Sequence, residues 1–373
     1  MDERIRVTWD DLNIGRCLPW NIYSESGKLL LGAGKMISSN SVLENLCQYR
    51  MYRDKQSSDY DQEKSSQRSF NPFILMEDFV SRFNSTCKDI YSRNNAARDK
   101  LGRLVKDIID MCNAEPDASI ASIHLPNTYS YCFYHSIQCA IICALMGKHE
   151  GLKASELQVL CAAALMSNVS MLKLQNKLFI QGGKATDEEQ KQIKSHPELS
   201  VQQLKLIGFD NTTLLEIILN HHERLDGSGY PNGITGEKIG TGARILAIAD
   251  RYGAMVTMRK GRKPMPIKDS LKQFLTGVGK EYDNRLSLLL IKELTIFPPG
   301  SCVKLSNGET AIVIRRGKKN PMQPVVKSIE NGDGQSYSNP LLRDCSIHEY
   351  EISGVICYDR NWRINPSRLW GLV

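Results

Sequence analysis

The sequence predicts a mainly α-helical protein, in which a helical bundle has a small β-rich unit before it and a short β-rich extension after it. Three observations support this fold class. Apolar residues recur at helical spacing through most of residues 71–295, few strand signals interrupt them, and strand–turn–strand patterns occur on both sides. The 373 residues suffice for two or three domains and a sizeable buried core.

The N-terminal region, residues 1–52, is predicted to be a small β-rich domain. Its clearest signal is the segment from Tyr23 to Leu31, which follows a strand–turn–strand pattern with Gly27 in the turn. Residues 53–70 are predicted to be a linker. The stretch from Arg53 to Ser69 contains no aliphatic side chain, so it has little to bury in a core.

Helical patterns dominate from there to residue 295. Residues 71–119 are predicted to be connecting helices, and residues 120–295 the helical domain. Within that domain, the periodic stretches are residues 130–147, 155–166, 186–206, 211–220, 243–256 and 267–295. His196 is expected to open a helix, with Pro197 in its first turn.

Residues 296–373 are predicted to be a C-terminal extension that contains a β-hairpin. Within residues 303–314, Asn307 and Gly308 separate two apolar runs, which is a strong signal for a tight hairpin turn. The remaining residues are punctuated by Pro and Gly, so we expect short β-structure there too.

The composition is that of an ordinary globular protein, with 24% charged and 41% hydrophobic residues. The longest apolar runs, such as Leu157 to Met166, are too short to cross a bilayer, and no signal-peptide pattern begins the chain. We therefore expect no membrane span and a cytoplasmic location. The net charge of +7 suits either an anionic nucleotide or simply a solubilising surface, and we expect no nucleic acid polymer as a partner.

The eleven cysteines do not form the pattern of a disulfide framework or a zinc finger. Cys132, Cys139, Cys143 and Cys161 lie within apolar helical stretches, and no CxxC pair occurs. We interpret them as reduced, buried thiols.

Candidate metal ligands are found among the seven histidines. His221 and His222 directly follow an apolar helix, and His135 and Asp250 lie within other apolar helices. Neutral imidazoles and a carboxylate are common ligands of divalent metals. The spacing alone leaves two alternatives open: His135 could be a hydrogen-bonded core residue, and Asp250 could pair with a nearby arginine or a buried histidine.

Residues 221–231, with the sequence HHERLDGSGYP, closely resemble the HHExxDGxGYP signature of HD-GYP domains. Residues 243–252, ARILAIADRY, resemble a second conserved helix of that family, and His196-Pro197 resembles its HP helix start. The resemblance covers about residues 120–290. It implies an HD-domain-like helical bundle.

The HD-GYP family hydrolyses the signalling nucleotide cyclic di-GMP with metal ions that activate water. The resemblance implies that Tyr230, Gly229 and Pro231 form the ligand-binding loop. It also implies that Arg259 and Arg262 contact the phosphates or guanines of the nucleotide. The implied metal ligands are His135, His196, His221, His222 and Asp250.

The sequence departs from the family pattern at its defining His-Asp pair. Ser167 and Asn168 replace the histidine and the metal-bridging aspartate, and Met171 replaces a lysine. Tyr131 stands where some members carry a further glutamate ligand. A neutral amide cannot offset the repulsion between two dications as a carboxylate does. We therefore identify the chain as a degenerate member and assign no catalytic residue.

Two states of the histidines follow from this substitution. His196, His221 and His222 could hold one ion of Zn, Fe or Mn, while His135 and Asp250 alone would hold a second only weakly, so no binuclear centre is expected. Alternatively, the histidines bond to one another and to the loop without any metal.

The leading functional interpretation is a catalytically impaired cyclic di-GMP signalling protein. It would act by binding the nucleotide or a protein partner such as a diguanylate cyclase domain. One alternative is an active phosphodiesterase that releases pGpG or GMP, and a second is a pure interaction scaffold. A homodimer formed through the helices of residues 72–112 is a further expectation.

Overall fold

The computed structural model describes residues 4–7, 11–12, 17–18, 20–37, 40–54, 70–257, 265–277, 280–359, 362 and 364–372. Most of the predicted linker and both predicted nucleotide-binding arginines, Arg259 and Arg262, lie outside the described residues. Within the described ranges, the mainly α-helical prediction is confirmed. Helices make up the middle of the chain, with one antiparallel sheet before them and another after them.

The N-terminal sheet has four antiparallel strands in the order β1-β4-β2-β3. Its elements are β1 (Arg4–Val7), β2 (Ile22–Ser24), β3 (Leu29–Leu31), helix α1 (Asn40–Cys47) and β4 (Met51–Asp54). The predicted turn is present between β2 and β3, and Gly27 adopts a left-handed conformation there with φ +83°. The segment from Tyr23 to Leu31 therefore forms the expected hairpin.

The central helices share one apolar core, which begins in the two long helices after the linker. The elements are α2 (Pro72–Tyr91), α3 (Ala96–Ala114), α4 (Pro116–His124), α5 (Tyr131–His149), α6 (Ala154–Met166), α7 (Leu172–Gln181), α8 (Asp187–Lys205), α9 (Thr212–Asn220), α10 (Thr241–Val256), α11 (Ile267–Thr276) and α12 (Asn284–Leu294). Helices α5 and α6 are buried on almost every face, which explains why their sequences are apolar all round.

The structure corrects two details of the predicted helices. The expected helix over residues 267–295 is two helices, α11 and α12. A cap at Gly277 ends α11, and α12 begins after Asp283, whose side chain accepts a hydrogen bond from the Leu286 N–H. His196 does not open a helix. It lies in the middle of α8, which begins with a capping box formed by Thr186 and Glu189.

One helical stretch of the described residues, Ala154–Gln181, is long and apolar enough by composition to cross a membrane. This stretch combines α6, a short 3₁₀ turn and α7. It is therefore longer than the apolar run from Leu157 to Met166 that was considered in the sequence. The protein itself buries 67% of the most apolar part of this stretch. Packing within the bundle is therefore a sufficient explanation for its composition.

The C-terminal sheet has five strands in the order β8-β7-β6-β5-β9. Its elements are β5 (Cys302–Leu305), β6 (Thr310–Arg315), β7 (Val325–Glu330), β8 (Ser336–Asp344) and β9 (Ile352–Ile356), followed by the short helix α13 (Pro366–Trp370). The predicted hairpin joins β5 and β6, with Gly308 at φ +84° in its turn.

Two polar residues, Arg316 and Asn71, hold this sheet and its C-terminal helix against the central helices. Arg316, directly after β6, pairs with Asp117 of α4 and donates to the backbone oxygen of Glu293 in α12 at 2.9 Å. The buried amide of Asn71, which caps α2, donates to Ser367 Oγ at 2.9 Å and to the Leu372 carbonyl at 2.7 Å. The C-terminal helix is thus tied to the start of the helical bundle through partly buried hydrogen bonds.

A partly buried histidine connects α4, α10 and the start of the C-terminal sheet. His124 Nδ1 donates to the Pro299 carbonyl at 3.1 Å, so the neutral ring accepts the Tyr252 hydroxyl at Nε2, 2.7 Å away. Burial lowers the pKa of His124 to about 4, and the hydrogen bond to Pro299 opposes this only in part.

We expect His124 to make the protein less stable in acid. Its pKa is lower in the folded state than in the unfolded chain, so the unfolded chain takes up the proton first as the pH falls below about 6.5. In His124→Gln, the difference in unfolding free energy between pH 7 and pH 4.5 should shrink by about 2 kcal/mol. Denaturant titrations at the two pH values measure this. His348→Gln, at an exposed histidine, is the control and should leave the difference unchanged.

Candidate metal centre

Three helices and the loop after α9 bring the predicted ligands together in two groups. In the first group, the imidazoles of His196, His221 and His222 place one nitrogen each within 4.8 Å of the others. The second group consists of His135, Asp250 and Cys139. Their ligand atoms also lie within 4.8 Å of one another. Every metal ligand implied by the family resemblance therefore falls in one of the two groups.

The orientation of His196 is fixed by the proline that follows it. Pro197 lies inside α8 and has no N–H, so the carbonyl of Ile193, four residues earlier, lacks its usual helical donor. His196 Nδ1 lies 2.5 Å from that carbonyl and donates to it. Because the proline has no N–H, this carbonyl is available to hold the ring at Nδ1. The other ring nitrogen, Nε2, is then available to a ligand.

His221 is held in the same way at the C-terminal end of α9. Its Nδ1 donates to the Ile218 carbonyl at 2.6 Å, one of the carbonyls that the end of a helix leaves without a backbone donor. The Nε2 atoms of His196 and His221 then face each other at 3.3 Å, and in neutral rings neither carries a proton. Two opposed lone pairs need a cation or a proton between them.

The rings of this group are neutral at physiological pH. Burial, and then the charge of the neighbouring His221, lower the pKa of His196 to about 3. Burial also lowers the pKa values of His221 and His222. Because neutral imidazole is the form that binds metals, the three rings fit one divalent ion such as zinc.

His222 connects the histidines to the loop that carries the family signature. Its ring stacks on Tyr230, with centroids 4.7 Å apart, and its carbonyl accepts the Tyr230 N–H at 3.1 Å. The buried carboxylate of Glu223 accepts the N–H groups of Asn232 at 2.7 Å and Ile234 at 3.1 Å. Glu223 thereby stabilises the loop through hydrogen bonds to its backbone. The sequence pattern alone does not predict this role.

Gly229 is required by the close return of this loop. A Cβ atom at this position would lie 2.5 Å from each of three backbone atoms, in His222, Glu223 and Arg224. No side chain can occupy that space unless the backbone moves. Pro231 follows Tyr230 through a cis peptide bond.

His135 on α5 and Asp250 on α10 meet across the core. His135 Nε2 lies 2.9 Å from Asp250 Oδ1, and Cys139 Sγ, one turn further along α5, lies 3.7 Å from the same nitrogen. Burial on its own raises the pKa of the Asp250 carboxyl. The hydrogen bond from His135 and the histidines around it outweigh that effect and hold the pKa below its usual range. Asp250 therefore pairs with a histidine rather than with Arg244, which binds Asp283 at 3.0 Å.

Cys139 is the member of this cluster that sequence reasoning missed. Its spacing of four residues from His135 places both side chains on one face of a helix, a signal that could have drawn attention to it. The apolar context instead predicts a core thiol. The prediction of a buried, free thiol is confirmed for Cys139, as it is for Cys132, Cys143 and Cys161.

Ser167 and Asn168, which stand at the position of the family's His-Asp pair, are both buried at the end of α6. Ser167 Oγ donates to the Ala164 carbonyl at 3.2 Å, and Asn168 Nδ2 donates to Ser167 Oγ at 3.3 Å. Asn168 Oδ1 is buried without a hydrogen-bond partner in the described part of the chain. A buried oxygen in that state would accept a hydrogen bond or a cation.

Ser170 fixes this segment next to α8. Its hydroxyl donates to the His196 carbonyl at 3.0 Å and lies 2.9 Å from Ser200 Oγ, which in turn donates to the Ser167 carbonyl at 3.0 Å. Met171, at the position of the family lysine, directly precedes α7 and supplies no charge. Tyr131 stacks between His135 and Phe179, with centroids 5.3 Å and 4.4 Å away.

The site lies within residues that match a known family. Residues 104–286 match the HD domain family. The chain is 26% identical over 226 residues to cyclic di-GMP phosphodiesterase PA4108 of Pseudomonas aeruginosa, across 59% of this chain and 54% of that protein. It is 28% identical over 204 residues to cyclic di-GMP phosphodiesterase PdeB of Borreliella burgdorferi, across 54% of each. The chain thus matches about half the length of these relatives.

Among solved structures, the chain is similar to Bd1817, a HDG"Y"P protein from Bdellovibrio bacteriovorus. The TM-score is 0.49 at 16% sequence identity, and the match covers 78% of this chain and 99% of the other.

The histidines and the aspartate that converge from several helices all lie in the region that matches the HD domain family. Residues 104–286 thus match the HD domain family, and the sequence matches to cyclic di-GMP phosphodiesterases confirm the resemblance of this region to the HD-GYP type.

We predict that Gly229→Ala disrupts the loop and with it the position of His222. The added Cβ would collide with three backbone atoms, so the substitution should cost about 2 kcal/mol or more of unfolding free energy. Denaturant titration measures this cost, and metal analysis should show a lower metal content.

Gly240→Ala is the matched control, because nothing lies within 4 Å of a Cβ added there. It should change the unfolding free energy by less than about 0.5 kcal/mol. Equal stabilities of the two variants would show that the close backbone approach at Gly229 is not a real constraint.

Proposed function

We propose that this chain is a cyclic di-GMP signalling protein whose HD-GYP site is catalytically impaired and which acts by binding. The observation that carries the proposal is the contrast between two adjacent segments, which hydrogen bonds of Ser170 and Ser200 hold together. The three histidines keep orientations suited to a metal ion, while the His-Asp position is filled by uncharged side chains that bond to the backbone and to each other.

The absence of a charge at Asn168 is the physical reason for the impairment. Two divalent ions repel each other strongly at the roughly 4 Å separation of two-metal sites, and a bridging carboxylate offsets this repulsion. An amide has the same shape but no charge. Removal of a single electrostatic interaction with a transition state costs about 3 kcal/mol. Replacement of the histidine, the aspartate and the lysine together should therefore slow hydrolysis severely.

The residues that remain can still hold an ion and present a binding surface. A divalent ion bound at His196, His221 and His222 would polarise a phosphate oxygen or a water molecule. The Nδ1 hydrogen bonds of His196 and His221 would orient the rings toward it. Tyr230 remains partly exposed beside His222, and its ring would offer an aromatic face to a guanine base.

Two further parts of the proposal concern partners and location. We place the protein in the cytoplasm, where cyclic di-GMP is made, with a diguanylate cyclase domain as a candidate protein partner. A homodimer through residues 72–112 gains no support from Phe79, Phe83, Leu104 or Ile108. These apolar side chains are buried in the chain's own core.

We expect cyclic di-GMP to bind saturably in calorimetric titrations of the zinc- or manganese-loaded protein. Tyr230→Ala should weaken this binding by about tenfold, since stacking of a base on an aromatic ring is worth about 1–3 kcal/mol. Tyr49→Ala, at an exposed tyrosine of the N-terminal unit, should leave the affinity unchanged. Absence of any saturable heat from the wild-type protein would favour the interaction scaffold instead.

We expect no turnover of cyclic di-GMP by the wild-type protein with manganese or ferrous iron. The double variant Ser167→His/Asn168→Asp should release pGpG at a rate about 100-fold or more above the background of the assay, because it restores a ligand and the bridging charge. Ser167→His alone is the control and should remain inactive. Turnover by the wild type that disappears in His222→Ala would instead establish the active phosphodiesterase.

A further inference from the structure

We propose that His135, Cys139 and Asp250 form a separate binding site for a single zinc ion, in which the thiolate of Cys139 is the third protein ligand. This goes beyond the sequence-based expectation that His135 and Asp250 alone would hold an ion only weakly. It concerns the same pocket as the proposed function, but it does not depend on nucleotide binding.

The three ligand atoms lie close enough together for a tetrahedral ion, since all of them are within 4.8 Å of one another. Zinc lies about 2.3 Å from sulfur and about 2.0 Å from nitrogen or oxygen, so its ligands stand about 3.3–3.6 Å apart. Here His135 Nε2 is 3.7 Å from Cys139 Sγ and 2.9 Å from Asp250 Oδ1. Zinc binding would require small side-chain movements and the release of two protons: the Nε2 proton that His135 donates to Asp250, and the thiol proton of Cys139, whose pKa burial raises.

The packing of two helices creates the cluster. His135 and Cys139 are four residues apart on α5 and therefore share a face, while Asp250 projects from α10. Gly253, one turn after Asp250, allows α10 to approach α5 closely. A Cβ on Gly253 would lie 2.7 Å from Gln138 Oε1 and 3.3 Å from the His135 ring.

The polar groups of the cluster point toward one another. His135 Nδ1 is buried and has no hydrogen-bond partner within the described ranges, so every polar contact described for this ring is made through Nε2. Cys139 and His135 are both about 1% exposed. A thiol, an imidazole and a carboxylate in an otherwise apolar interior are the donor set of a metal site.

The donor set selects the metal and its role. Thiolate sulfur favours zinc over the hard ions magnesium, calcium and manganese. One thiolate and one carboxylate together cancel the charge of a zinc ion, so this ion would attract a phosphodiester less than one held by three neutral histidines. The site would therefore join α5 to α10 rather than activate water, and this agrees with an impaired pocket.

Cobalt substitution tests the inference directly. The protein is stripped of metal with a chelator, loaded with Co²⁺ without any nucleotide, and examined by absorption spectroscopy. We expect a thiolate-to-cobalt charge-transfer band in the near ultraviolet together with the strong visible bands of a four-coordinate ion. Cys139→Ser should abolish the charge-transfer band. It should also weaken zinc binding at this site by about 100-fold or more, since even removal of a ligand's hydrogen-bond partner costs about 10–100-fold.

Cys143→Ser is the matched control. Cys143 is equally buried one turn further along α5 and is not part of either ligand group among the described residues. The charge-transfer band should persist in this variant. Circular dichroism of each variant verifies its fold, and Cys139→Ala serves as a second test if the serine variant does not fold.

A band that survives in Cys139→Ser or Cys139→Ala would overturn the inference, as would its absence from cobalt-loaded wild-type protein. Neither result bears on the binding of cyclic di-GMP, which is measured by separate titration. Conversely, failure of the wild-type protein to bind the nucleotide, with a normal cobalt spectrum, would remove the proposed function and leave the metal site in place.

Discussion

The need to satisfy polar groups in an apolar interior shapes this domain. An imidazole or carboxylate loses its water when it enters a helical core, and it must regain hydrogen bonds or a metal ion there. The chain meets this need with carbonyls that its own helices release, through Pro197 within α8 and through the C-terminal end of α9. These carbonyls accept hydrogen bonds from the Nδ1 atoms of His196 and His221. As a result, both Nε2 atoms point inward. The backbone thus decides which nitrogen faces the pocket before any ligand arrives.

Much of this arrangement could be predicted from the sequence, because the helices carry long apolar periodicities and the loop after α9 carries a specific motif. The place of His196 within α8 was predicted wrongly from the proline that follows it. A proline often starts a helix, whereas the periodic stretch over residues 186–206 and the capping box at Thr186 and Glu189 place the start of α8 well before His196. The role of Glu223 was equally hidden, since a buried carboxylate that binds two loop N–H groups looks like any acidic loop residue in the sequence.

The proximity of distant segments was the least predictable feature. His135 and Asp250 are separated by 115 residues, and the family resemblance, rather than any spacing rule, brought them together. Cys139 had no such support. Its neighbours Cys132, Cys143 and Cys161 are ordinary buried thiols, and composition gives no reason to single out one among them. Cys139 is distinguished by the close approach of α10. Gly253 allows this approach because it has no Cβ to collide with α5, and this is visible only once the two helices are packed together.

The two ligand groups differ in charge more than in geometry. Three neutral imidazoles leave the full charge of a bound dication available to an anionic ligand, whereas a thiolate and a carboxylate neutralise it. In a site with a bridging carboxylate, the two ions share one anion and act together on a phosphodiester. With Asn168 in that position, each group must stabilise its own ion, and one of them has the ligands to do so completely. Removal of the bridge therefore does not imply removal of the metal. If the proposed function holds, one cooperative centre would be separated into a half that faces the nucleotide and a structural half.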